Sequence, residues 1–179
     1  MVSDHHGITL GIAYFRQKLK QNPNNPAHHH NLAPLLVARG DVRDAMYHYR
    51  RAFKLNPRDI NSKNDLAAIL WRMGKWEAAL AALCQVLKAN NEHYEANINV
   101  ATVYFSKGEY DLALKYSRRA TQLKPRNPLG HRILGQILDE VGNTAMSLFH
   151  RKIALRRGPG VAGESAGGLN EHDVQTYRK

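Results

Sequence analysis

The chain has 179 residues, 43% hydrophobic and 23% charged, which is enough apolar side chain for a core and not the bias of a disordered or low-complexity tail. Lys and Arg number 26 against 15 Asp and Glu, a net charge of +11 that favours an acidic counterpart: RNA, an anionic membrane surface or an acidic protein surface. The single Cys84 excludes an internal disulfide framework and points to an intracellular, cytoplasmic setting, no apolar run approaches the roughly 18 residues that cross a bilayer, and the start Met-Val-Ser-Asp-His-His-Gly lacks a secretory leader.

The first predicted element is a helix over residues 7–23, within a capping segment 1–25. Ile8, Ile12, Phe15 and Leu19 share one of its faces, and Pro23 closes it. From residue 26 the chain repeats itself every 34 residues. Gly40, Gly74, Gly108 and Gly142 form one column; Leu32, Leu66, Val100 and Leu134 form another. Ala33, Ala67, Ala101 and Gly135 are small throughout, as are Ala45, Ala79, Ala113 and Ser147. Four units follow without insertion: 26–59, 60–93, 94–127 and 128–161. Each reads as two helices around its glycine, and Pro57, Asn91, Pro125 and Pro159 close them in turn.

In the first unit, Pro34 falls inside the first helix and predicts a kink or a shifted start. Its His28-His29-His30 run, like His5-His6, is a poor metal site, because neighbouring histidines on a helix diverge by about 100°. In the second unit Asn91 replaces the closing proline and predicts a looser turn. Cys84 has no local cation or helix start to activate its thiol. The third unit has the clearest pattern, with Val100, Val103 and Tyr104 before Gly108, and Tyr110, Ala113, Leu114, Ser117, Ala120 and Leu123 after it. The fourth carries Met146, Phe149 and Ile153 on one face of its second helix, where the third unit has Leu112, Lys115 and Arg119. Read as outward, that stripe predicts an interface with a partner, another copy or the chain's own tail; the alternative is a helix rotated to bury it. Residues 162–179 read as a flexible tail.

One such hairpin cannot bury both faces, so four must stack into an all-α superhelix. The pattern resembles the tetratricopeptide repeat family, carried by Leu66, Ala67, Leu70, Gly74, Trp76, Ala79 and Leu83 and their counterparts one repeat away. The resemblance implies a right-handed α-solenoid of helix-turn-helix hairpins that serves as a protein-interaction scaffold.

In such a stack the first helices line a concave groove. Its expected partner-binding residues are His30, Asn31, Asn64, Asp65, Trp71, Arg72, Ile98, Asn99, Phe105 and Arg132. Pro34, Ala68, Thr102 and Gln136 leave room between them. Asn31 and Asn99 would bond the backbone of an extended peptide or helix, or else tie neighbouring hairpins together. Trp71 and Phe105 would be anchors, or else pack beneath a loop. The two-carboxylate clamp by which some family members hold a chaperone's C-terminus is missing: neither register, His30, Pro34, Asp65, Glu95 and Asn99 or Asn64, Ala68, Asn99, Leu129 and Ile133, supplies its Lys, Asn and Arg set. No catalytic residue, cofactor motif or metal site is legible, so the chain reads as a non-enzyme. The leading function is an adaptor that grips a partner peptide. The alternative is a structural subunit of a ciliary, ribonucleoprotein or secretion assembly. Direct RNA binding through Arg50-Arg51, Arg118-Arg119, Arg151-Lys152 and Arg156-Arg157 ranks below both, because few aromatic side chains interleave with those cations.

Overall fold

The computed structural model describes residues 2–156, with side chains from residue 6 onward. The readings placed on Arg157, Pro159 and the 162–179 tail lie outside the described residues. Nine helices and no strands occur among those described. They are α1 (Val2–Gln21), α2 (Pro26–Arg39), α3 (Val42–Leu55), α4 (Ile60–Arg72), α5 (Trp76–Ala89), α6 (Tyr94–Ser106), α7 (Tyr110–Leu123), α8 (Pro128–Glu140) and α9 (Thr144–Arg156). The chain is an all-α solenoid in which α2–α3, α4–α5, α6–α7 and α8–α9 are antiparallel hairpins and α1 leans on α2.

Each hairpin is shaped by local chemistry at both ends. Asn25, Asp59, His93 and Asn127, one per repeat, accept hydrogen bonds from the first-turn amides of α2, α4, α6 and α8. Pro26 and Pro128 lie at the first helical positions, where the missing N–H costs nothing. The turns close on Gly40, Gly74, Gly108 and Gly142, all with φ between 72° and 96°. Such values are cheap for glycine alone. The amide after each glycine returns to a carbonyl of the last helical turn, as from Glu109 to Tyr104 at 2.9 Å.

The structure excludes one of the two readings of Pro34 and corrects the expectation at Asn91. Pro34 does not shift the start of α2, which begins at Pro26 under its Asn25 cap and continues through Pro34 to Arg39. Nor does Asn91 loosen its turn. The α5 helix ends at Ala89, 34 residues after the end of α3 and 34 before that of α7. Asn90 Oδ1 accepts the Glu92 amide at 3.0 Å, and Asn97 Nδ2 donates to the Asn91 carbonyl at 3.2 Å. Proline-containing turns make the corresponding bonds, from the Arg58 amide to Asn56 Oδ1 and from His29 and His131 to the Pro23 and Pro125 carbonyls, so this turn keeps the same frame without its proline.

Ala33, Ala45, Ala67, Ala79, Ala101 and Ala113 are fully buried, so paired helices approach closely. Leu32, Leu36, Leu83 and Val86 fill the layers between. Ile12 is buried too, with Ile8, Phe15 and Leu19 packed around it, so α1 closes the first end of the core. The first helices of successive hairpins touch, α4 against α6 and α6 against α8. They therefore occupy the tight inner side of the curve, and the second helices occupy the outer side.

Candidate functional site: the inner face and its polar ties

The first helices present their middle turns to the inner side, and the structure divides the expected groove residues into two sets. Asn31, Arg72 and Arg132 are exposed, as are Pro34 and Gln136. The second set is spent on holding hairpins together. Asn99 Nδ2 donates to Asn64 Oδ1 at 2.9 Å across the boundary between repeats two and three, and Asn64 itself is buried. His30 Nδ1 lies 2.8 Å from Ser62 Oγ, whose hydroxyl also donates to Asp59 at 2.6 Å. Asp65 accepts from the Tyr49 hydroxyl, and burial raises its pKa above the ordinary 3.8. The same burial, with Asp65 beside it, pushes the Tyr49 phenol well above 10.0.

One further assignment changes, and two rings are partly packed. Ile98 is buried with Tyr94 and Ala120, against Leu129 and Ile133 of the next hairpin, so it is core rather than groove. A branched apolar side chain at the seam between first helices gains more by packing on its neighbour than by facing water. Trp71 is half-buried against the main core, and its indole N–H donates to Ser106 Oγ at 2.9 Å. Phe105 packs with Tyr110, ring centroids 6.0 Å apart. Both rings are partly exposed.

The expected outer stripe on α9 is also corrected. Ile153 is buried, and Met146 and Phe149 are half-buried. The column of Ile153 reaches back over the loop that precedes its own hairpin, as Arg51 does to Asn24 and Arg119 to Glu92. Phe149 sits edge-on to His150, as Tyr47 does to His48, each pair at 5.2 Å. The exposed apolar residues of α9 are instead Leu148 and Leu155.

The most specific polar feature pairs His29, read in sequence only as part of a histidine run, with a histidine of the next helix. His29 Nδ1 lies 2.7 Å from His48 Nδ1, and three repeats later His131 Nδ1 lies 2.8 Å from His150 Nδ1. The outer nitrogens, Nε2 of His29 and His131, lie 3.0 and 2.9 Å from the carbonyls of Pro23 and Pro125. A carbonyl only accepts, so those nitrogens carry the hydrogen. His29 and His131 then accept at Nδ1, and His48 and His150 donate. The tautomers of all four rings follow from two backbone oxygens. Burial, then the partner ring, depresses His48 and His150 to about 4, and burial also lowers His29. In the third repeat Asn97 takes the corresponding place and donates to the Asn91 carbonyl. Each pair clamps a first helix to its second helix and to the loop before it. Facing Nδ1 atoms this close leave no room for an ion between them. Among the described residues no three metal-ligating side chains converge.

Residues 64–128 match the family model described as tetratricopeptide repeat. The hairpins that this match spans, α4–α5 and α6–α7, are tetratricopeptide repeats. The chain resembles the crystal structure of MamA, with TM-score 0.67 and 20% identity over 93% of this chain and 90% of that one. It resembles TTC0263, a thermophilic TPR protein of Thermus thermophilus, with TM-score 0.74 and 23% identity over 83% and 82%. It also resembles Pseudomonas aeruginosa PilF, with TM-score 0.71 and 17% identity over 88% and 76%. At these identities the likeness is one of fold. No curated protein matches in sequence. The tetratricopeptide fold suggests a scaffold for protein–protein interaction, and proteins of this family are generally not enzymes. No helix among the described residues is long and apolar enough to cross a membrane.

Proposed function

We propose that this tetratricopeptide protein is a non-enzymatic adaptor whose inner face holds an extended segment or helix of a partner protein. The observation that carries the reading is the open floor across the first helices. Pro34, Ala68, Thr102 and Gln136 follow one another with little bulk, between the partly exposed rings of Trp71 and Phe105 and the exposed Asn31, Arg72 and Arg132. A partner backbone would find donors in Asn31 and Gln136, and its carboxylates would find Arg72 and Arg132. The adjoining polar residues are already tied to one another, so the floor is preorganised and binding orders little further protein.

Peptides selected from a random library on the wild-type chain test this. Ala68→Arg should fill the floor and weaken selected peptides at least tenfold while the circular dichroism spectrum stays unchanged. Peptides that bind the variant equally well would put the site elsewhere. An RNA reading of the outer face has less support, because part of the charge is engaged. Arg51 reaches Asn24, Arg119 reaches Glu92 and Arg151 reaches Asp139.

A further inference from the structure

Within the array, every second helix is roofed by the first helix of the next repeat. Two columns mark the contact. Met46, Leu80, Leu114 and Leu148 form one; Phe53, Leu87, Thr121 and Leu155 form the other. Met46 is 7% exposed, Leu80 and Leu114 are half-buried, but Leu148 is 53% exposed. Phe53 lies under the Lys63 ammonium, 3.7 Å from its ring centre, and a Cβ on Gly130 would meet the Thr121 methyl at 3.4 Å. Leu155, in the same column, is 74% exposed. The last described helix thus keeps the apolar chemistry of an internal repeat.

The internal repeats also define what fits there. The roofing helix presents a branched apolar residue at Leu35, Ile69, Val103 and Ile137, the last three fully or almost fully buried. Seven residues earlier stand His28, Ser62, Ala96 and Gly130, mostly small. The chain's own tail at the same offset has Glu164 and Glu171 in those two places, with Gly163, Gly167 and Gly168 around them. A carboxylate at the buried apolar position and three glycines make it a poor roof. A second copy would bring its α1 end, whose exposed Leu10 and Tyr14 are flanked by Arg16, Lys18 and Lys20. The α9 face carries Lys152 between its two leucines and Arg156 at its edge, so that approach sets like charges together.

We propose that the outer face of α9, centred on Leu148 and Leu155, docks an acidic amphipathic helix of a partner protein, seated where the first helix of a fifth repeat would lie. The site is separate from the inner face and stands or falls independently of it.

The test uses the full chain and fluorescein-labelled peptides of residues 126–142, themselves a roofing helix. One peptide is native. In the other, Arg132→Glu and Gln136→Glu add acid at two positions that are exposed in the array and so do not disturb the apolar contact. The acidic peptide should bind saturably, more tightly than the native one, and Leu148→Glu with Leu155→Glu should weaken it at least tenfold. Both leucines are exposed, so helix content and melting should not change, and circular dichroism checks this. Lys152→Glu with Arg156→Glu should invert the preference between peptides. Absence of saturable binding, binding indifferent to the leucine changes, or a preference unmoved by the charge reversal would each overturn the proposal. So would a dimer in sedimentation velocity that the leucine changes dissolve, since a second copy would then be the occupant.

Discussion

Acid should loosen this array at its two ends before its middle. His48 and His150 fall from the ordinary 6.5 to about 4, chiefly because burial penalises the charged ring. His48 faces His29, Asp44 and Arg16, of which only Asp44 favours the charge; His150 faces His131 and Arg118. A folded pKa below the unfolded one means that the unfolded chain takes up protons first as pH falls. The stabilisation is therefore complete above pH 6.5 and drains away as pH drops toward 4. At about 1.36 kcal/mol per pH unit, a fully buried ring would lose about 3.4 kcal/mol over that window. Both rings are only partly buried, and solvent screening reduces this to about 1.5 kcal/mol for each pair. A second proton on either pair puts hydrogen on both Nδ1 atoms and breaks the bond between them.

Urea unfolding followed by circular dichroism at pH 7.5, 6.5, 5.5 and 5.0 reads this loss directly. The control is built into the protein: the third repeat has Asn97 and Tyr116 where the first and fourth have their histidines. His29→Asn, His48→Tyr, His131→Asn and His150→Tyr together should leave stability nearly flat over that range. Hydrogen exchange at pH 5.0 should show α2–α3 and α8–α9 losing protection while α4–α6 retain it. Equal pH slopes for the wild type and the fourfold variant would refute the assignment of these pairs as buried and neutral.

Gly108→Val should lower stability by about 1–2 kcal/mol: φ there is +75° and an added Cβ meets nothing within 4 Å, so the cost is backbone strain alone, and an unchanged thermal midpoint would contradict it. Tyr49→Phe should cost about 1–3 kcal/mol in urea unfolding by depriving half-buried Asp65 of a donor; adding Asp65→Asn should recover part of that loss. Trp71→Phe should cost about 1 kcal/mol for the lost bond to Ser106, and Trp71→Ala about 2–3 kcal/mol for the lost packing, read by the same titration.

The hairpins, their glycine turns and their small-residue seams were legible in the chain because each is local and repeated. A positive φ asks for glycine at Gly40, Gly74, Gly108 and Gly142 whatever lies around it, and close helices ask for Ala33 and Ala45 in every unit. The histidine pairs left a trace that periodicity could have found. His29 and His48 recur as His131 and His150, a displacement of three repeats. Nothing in the spacing tells that two rings 19 residues apart meet nitrogen to nitrogen, since that depends on how one helix rolls against the other. The same roll spends Asn64 and Asn99 on each other and hides Ile98 between hairpins. The last described helix is the least legible element. Aligned columns treat Leu114 and Leu148 as equivalent, yet one lies beneath a following helix and the other is 53% exposed, with no helix over it among the described residues. Met146, Phe149 and Ile153 looked outward on a helical wheel, but they turn toward their own hairpin and leave Leu148 and Leu155 bare. Burial belongs to the surroundings of a side chain, and a repeating sequence describes those surroundings only as far as the next repeat is present.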